Sequence, residues 1–278
     1  MKRVTDVPSG VGLYLRRITK RSHGTPEEAA KKAKDHGIRW VSLLCAWQDK
    51  QGSQNRDLRY NESTLYDYAQ AFHEAGIVTY VWGFPRAGWE DEFCDHLLWA
   101  TQSEHVDGIM LDPEVFYKWK RERPEVRSRG MRGTKEAIEG IEAKGSQDWA
   151  EYRARKLCRG TIVQMTEKHG LGITSYGIPA YHSNFPWTTF GGTGWGSPQL
   201  YSVGDDLVDI GIKQWIKLGW DVLLPSVPTF GINSGRGLSE HLERFKDHSS
   251  IRGVIAWSWK QTDPAEWKTL ERFADAWG

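Results

Sequence analysis

Short apolar runs alternate with amphipathic stretches along the whole chain, and glycine, proline or a capping residue marks most of the changes. Val11-Gly12-Leu13-Tyr14-Leu15 predicts a first strand. Thr25-Pro26-Glu27-Glu28 then supplies an N-cap, a proline at the first helical position and acids in the first turn. That helix runs to His36-Gly37, where glycine stops it. Further strands are expected over 40–47, 77–82, 107–114, 172–176, 198–203, 221–225 and 252–259. Helices are expected over 63–75, 90–104, 147–169, 205–218 and 238–246, with a last one capped by Asp263-Pro264-Ala265-Glu266. Gly37-Ile38, Gly76-Ile77, Gly108-Ile109, Gly172-Ile173, Gly219-Trp220 and Gly253-Val254 each end a helix or open a strand. Eight strands alternating with helices over 278 residues is the pattern of a (β/α)8 TIM barrel. The reading is one α/β domain spanning 1–278, with a charged insertion at 117–146 after the fourth strand. A doubly wound open sheet is the other candidate, but no glycine-rich phosphate loop follows the first strand.

Charge and composition narrow the field. A formal net charge of +1 gives no whole-molecule attraction to nucleic acid or to a membrane, and neither partner is expected. No apolar run is long enough to span a bilayer, and Met1-Lys2-Arg3 leads into no apolar core, so synthesis in the cytoplasm without a signal peptide is expected. Cys45, Cys94 and Cys158 have no metal-like spacing, and their odd number argues against a disulfide framework. The histidines offer no metal-ligand spacing either, and His182 alone falls near a strand end that could serve a site. No metal and no cofactor is expected, and a monomer is. The figure that stands out is Trp 15, with aromatics at 12%.

The chemistry concentrates at Asp107-Gly108-Ile109-Met110-Leu111-Asp112-Pro113-Glu114. Strand alternation puts Met110, Asp112 and Glu114 on one face and Ile109 and Leu111 on the other. Two neighbouring carboxylates repel, which raises the pKa of one of them. One acid kept protonated as donor beside another kept ionised is the arrangement that cleaves glycosidic bonds. The plainer alternative is that Asp112 caps the next segment and Glu114 is merely solvated. In a barrel the active site lies at the C-terminal ends of the strands, where this pair falls. Other strand ends bring Trp47, Tyr80, Trp82, Tyr176, Gln199, Tyr201, Trp257 and Trp259. Gln199 and Tyr201 share a face by alternation, as do Trp257 and Trp259. An aromatic-walled pocket floored by an acidic pair describes a glycoside-hydrolase cleft.

The fourth-strand stretch resembles the Asp-Gly-x-Asp-x-Asp-x-Glu motif of family 18 chitinases, with Met110 in place of the middle aspartate. It is also similar to the Leu-Asp-x-Glu of family 25 lysozymes (N-acetylmuramidases), and the passage Tyr60 to Pro85 echoes what precedes it there. Gln199-Leu200-Tyr201-Ser202 is similar to the Met-x-Tyr-Asp of chitinase strand six. Family 25 has an aspartate ending strand one, where this chain has Tyr14 and Arg16. The resemblance implies Glu114 as general acid and Asp112 as the carboxylate that orients a 2-acetamido group or stabilises the developing charge. It further implies Tyr201 as a donor to the acetamido oxygen and Trp257 as the floor of the subsite.

The expected substrate is therefore a β-linked N-acetylated polysaccharide: peptidoglycan first, as for an endolysin reaching the cell wall after release, then chitin or an acidic capsular glycan. The competing class is a glycan-binding barrel without catalysis, for which the Met110 departure argues. In the insertion, Lys118, Lys120, Arg121, Arg123, Arg127, Arg129, Arg132 and Lys135 read either as a solvated loop or as a contact for an anionic glycan. Ser175, Ser202, Ser226 and Ser258 lack the glycine elbow of a serine hydrolase.

Overall fold

The structure is a computed structural model that describes residues 7–16, 18–47, 62–119, 146–165, 170–201, 205–229 and 236–277. Eight parallel strands close into a barrel in chain order: β1 (Gly10–Leu15), β2 (Trp40–Trp47), β3 (Val78–Phe84), β4 (Gly108–Leu111), β5 (Gly170–Tyr176), β6 (Trp195–Gln199), β7 (Ser226–Pro228) and β8 (Gly253–Trp257). Each is followed by a helix: α1 (Pro26–Asp35), α2 (Glu62–Glu74), α3 (Glu90–Gln102), α4 (Gln147–Gln164), the single turn α5 (Trp187–Phe190), α6 (Asp205–Lys217), α7 (Arg236–Lys246) and α8 (Pro264–Arg272). The (β/α)8 barrel expected from the pattern is the fold.

Local chemistry sets the helix starts. Thr25 and Asp263 each close a capping box with a glutamate three residues on, and proline follows both caps. Ser146 caps α4 by accepting from the Trp149 amide.

β4 stops at Leu111 and β8 at Trp257, short of the sequence reading, and β6 and β7 depart further. β6 begins at Trp195 and stops at Gln199, so Tyr201 lies beyond it. The glycines around Trp195 suggest a loop, yet they are what the strand needs: a side chain on Gly194 would run into the Leu171 carbonyl. β7 is Ser226–Pro228, and of the expected 221–225 run only Leu223 bridges its neighbours, Gly196 and Ile251. Pro225 has no amide to give and contributes its carbonyl alone, to the Ile255 amide at 3.0 Å.

Aromatic rings fill the barrel in two tiers. In the lower one, Trp40, Tyr80 and Trp195 meet edge to face with centroids 5.6–6.0 Å apart. Their rings lie where side chains of Gly108 and Gly172 would stand, so glycine there makes room for a neighbouring strand's ring. The upper tier is Tyr14, Trp82 and Trp257, with centroids 5.0–5.5 Å apart. The barrel interior is thus filled by two layers of rings.

Candidate active site

The acids sit where β4 gives out. The Asp112 amide donates to the Gly83 carbonyl at 2.9 Å, carrying the β3–β4 ladder one residue past the strand. Ser175 Oγ donates to the Pro113 carbonyl at 2.7 Å and pins the residue between the acids. The Glu114 carbonyl accepts from the Tyr117 amide at 3.0 Å, starting a 3-10 turn over Val115–Tyr117. The backbone of both carboxylates is therefore held by β3, β5 and that turn.

Asp112 is 6% exposed, and its Oδ1 accepts from Gln199 Nε2 at 2.9 Å. Burial first, then the charge of Glu114, pushes the Asp112 carboxyl well above its ordinary value, while the Gln199 bond and the charge of Arg16 pull it back. Glu114 is only half-buried. Burial thus favours the protonated form of Asp112 in the free protein. The two titrate as a pair.

Beneath them runs a set of hydroxyls. Ser197 Oγ lies 2.8 Å from Ser226 Oγ, which lies 3.3 Å from the Tyr14 hydroxyl. Burial pushes the Tyr14 phenol up, and the charge of Asp112 adds to this. Tyr201 is driven up by burial too, with the charges of Tyr14, Asp112 and Glu114 adding, so its phenol stays a neutral donor.

The expected wall residues divide. Gln199, Tyr201 and Trp257 gather about Asp112, with Tyr201 and Trp257 centroids 6.0 Å apart and both half-buried. Tyr176 reaches the rim opposite Gln199 in register, but one face of its ring is stacked on His182 at 3.8 Å. Trp82 is fully buried under Tyr14 and Trp257, so it supports the floor and does not line the cleft. Tyr80 belongs to the lower tier, edge to face with Trp40 and Trp195. Trp259 is 4% exposed and packs between His23 and Trp267, under the Lys32 ammonium. The alternation that would have placed it beside Trp257 ends with β8, since 259–261 is a 3-10 turn. Trp47 ends β2, but its side chain lies outside the described residues.

Lys118 also departs from expectation. It is 2% exposed, its Nζ is 2.9 Å from His182 Nδ1, and it lies 4.3 Å from the Tyr176 centroid, so it is part of the wall, not of a solvated basic loop. The remaining cations of the insertion, Lys120 to Lys135, lie outside the described residues. Arg16, Ser197, Ser226 and Ser175 were not among the expected site residues. Ser197 was findable, since it stands two residues from Gln199 on the same face of β6. Among the described residues no group of three or more His, Cys, Asp or Glu could hold a metal ion. Cys45, Cys94 and Cys158 are free and buried, and burial pushes the Cys94 thiol up to about 11 and that of Cys158 up to about 12.

No family model and no curated protein sequence matches the chain. Solved structures do, at low identity. An endo-β-1,4-mannanase from Thermotoga petrophila superposes with a TM-score of 0.65 at 9% identity, covering 99% of this chain and 78% of that one. A GH5_18 protein from Bifidobacterium longum, solved with Manβ1-4GlcNAc, gives 0.64 at 11% identity over 96% of this chain and 78% of its own. A GH5_18 protein from Streptomyces cattleya, solved with GlcNAc, gives 0.63 at 9% identity over 98% and 81%. The likeness is one of fold, and it does not single out the family 18 or family 25 resemblance of the fourth strand.

Proposed function

We propose that this barrel hydrolyses a β-linked N-acetylated polysaccharide, peptidoglycan before chitin, with retention at the cleaved carbon. The observation that carries this is the buried Asp112, held by Gln199 beside Glu114, with Tyr201 set against the ring of Trp257. The glycoside-hydrolase folds of the structural neighbours, two of them solved with GlcNAc-containing sugars, support it. Among the described residues, Asp112 and Glu114 are the carboxylates that the strand ends bring to the cleft. A nucleophile supplied by the substrate's own 2-acetamido oxygen fits that better than a third carboxylate does.

In this reading Glu114 protonates the leaving glycosidic oxygen. Asp112 accepts from the acetamido N–H and turns its carbonyl oxygen towards the sugar carbon. The Tyr201 phenol donates to the same oxygen, and Trp257 carries the ring. The proton held by the buried pair moves as the site fills. The acetamido N–H stabilises ionised Asp112, and loss of water around Glu114 raises its affinity for the proton. The acid is therefore charged for donation only in the complex. A lysin that reaches the cell wall after release is the setting proposed for it.

Digestion of a panel of peptidoglycan and chitin oligomers, with mass spectrometry of the products, tests the reading. Wild type releases reducing ends and Glu114→Gln loses about 10²–10⁴-fold of that activity while still binding. Full hydrolysis by Glu114→Gln refutes the assignment. One observation favours a glycan-binding barrel without catalysis: Met110, fully buried on the face of Asp112, puts no acid below it. Binding without any release of reducing ends would establish that second reading.

A further inference from the structure

At the same end of the barrel as the acids, three elements bring Lys118, His182 and Tyr176 together. Tyr176 ends β5, His182 ends a 3-10 turn over Pro179–His182, and Lys118 follows the turn over Val115–Tyr117. The two loop segments are tied by reciprocal bonds. The Trp119 amide donates to the Asn184 carbonyl at 3.1 Å, and Asn184 Nδ2 donates to the Trp119 carbonyl at 2.8 Å. The His182 carbonyl accepts from the Phe185 amide at 3.1 Å and from Trp187 Nε1 at 2.9 Å. The His182 ring stacks on that of Tyr176, 3.8 Å away and 18° from parallel, and Phe185 stands perpendicular to Tyr176 at 5.8 Å. Lys118 Nζ lies 2.9 Å from His182 Nδ1 and 4.3 Å from the Tyr176 centroid.

This geometry has a chemical consequence. An ammonium donates and cannot accept, so His182 Nδ1 is the acceptor and the ring hydrogen sits on Nε2. Burial of Lys118 works against its charge, while the Nδ1 lone pair and the face of the Tyr176 ring work for it. Tyr176 in turn faces the cleft. It has the strand parity of Gly172, whose missing side chain makes room for the Trp195 ring inside the barrel. It also pairs in register with Gln199, the residue that holds Asp112 at 2.9 Å. We propose that Lys118 is a positioning residue: by locking His182 in the Nε2–H tautomer and flat against Tyr176, it fixes the Tyr176 ring as a side wall of the sugar subsite next to Gln199. The C–H face of a pyranose suits such an aromatic wall. The proposal rests on the glycan reading above and adds that the shape of the subsite is set by a cation that need not touch the sugar.

Two measurements test it. Lys118→Met keeps the length of the side chain and removes the donor. NMR of protein carrying nitrogen-15-labelled histidine, with the His182 signals identified by their loss in His182→Gln, reads the tautomer without any sugar present. Wild type shows hydrogen on Nε2 alone and Lys118→Met a mixture of tautomers; wild-type His182 with its hydrogen on Nδ1 overturns the proposal. Affinity for short chitin and peptidoglycan fragments is then measured by calorimetry in the Glu114→Gln background. Lys118→Met weakens binding by about tenfold and Tyr176→Ala by at least as much. Because Lys118 acts through that ring, the double variant binds no more weakly than Tyr176→Ala alone. Lys118→Met that binds as the parent does, or penalties that add, overturns the positioning role, since general damage to the fold would add. Failure of the glycan reading shows elsewhere. A Glu114→Gln parent that binds neither fragment removes the subsite, and this proposal with it, before Lys118 is changed. Wild type that binds without releasing reducing ends refutes hydrolysis alone, with the tautomer and the affinities still as expected above.

Discussion

Replacing Asp112 by asparagine stabilises this protein at neutral pH while removing its activity. Asparagine is isosteric, and its carbonyl oxygen still accepts the 2.9 Å bond from Gln199 Nε2. What changes is the charge. In the wild type a carboxyl that is 6% exposed must either ionise beside Glu114 or hold a proton that water would have taken. Its folded pKa lies above the unfolded one, so the folded state binds more protons than the unfolded state between the two values. Stability from this group is therefore complete below about pH 4 and declines as pH rises through the folded pKa. Asparagine has no such decline. The gain expected of relieving a buried functional charge is about 1–2 kcal/mol at pH 7, or roughly 2–8 °C in Tm for a chain of this size. Thermal melts of both proteins from pH 4 to pH 8 measure it. The curves meet at the acid end and separate as pH rises, and hydrolysis by the variant falls by at least about 10²-fold. An Asp112→Asn protein that melts at or below the wild type across the whole range would refute the argument, because the carboxyl would then be stabilised by its surroundings.

Three further outcomes follow from the packing. Burial lowers His23 to about 4 from an ordinary 6.5, so the fold loses about 3 kcal/mol from this group as pH falls between those values, and His23→Phe, which keeps the ring against Trp259, flattens the acid side of the stability curve. A Gly172→Ala side chain would collide with the Trp195 indole, costing about 1–3 kcal/mol and lowering Tm without touching the acids. Gln199→Leu removes the hydrogen bond that favours ionised Asp112 and moves the acid limb of the pH–rate profile upward, and a limb that stays in place would count against the role given to Asp112.

The resemblance at the fourth strand and the structural neighbours bear on different levels. The first points to particular acids, and the second to a barrel architecture shared by proteins that differ almost everywhere in sequence. Fold likeness at such identity says nothing of which residues act. The residues of the cleft must therefore be judged by geometry: Asp112, Gln199, Tyr201 and Trp257 are brought together, while Tyr80, Trp82 and Trp259 are turned to packing.

The order of strands and helices was written in the chain itself. Alternating apolar runs, capping boxes at Thr25 and Asp263 and glycine at the helix ends are local signals, each readable within a few residues. The acidic pair was equally legible, because it closes an apolar run with groups that a core rejects. Which rings face the substrate could only be decided by closure of the barrel. Side-chain alternation predicts direction only within a strand, and β6 and β8 stop at Gln199 and Trp257, so parity no longer governs Tyr201 or Trp259. The height of a ring within the barrel depends on stagger between strands, which placed Tyr80 in the lower tier and Trp257 in the upper one. The state of Asp112 was likewise tertiary: burial by residues from other strands, which the sequence does not announce, raises its carboxyl above its ordinary value.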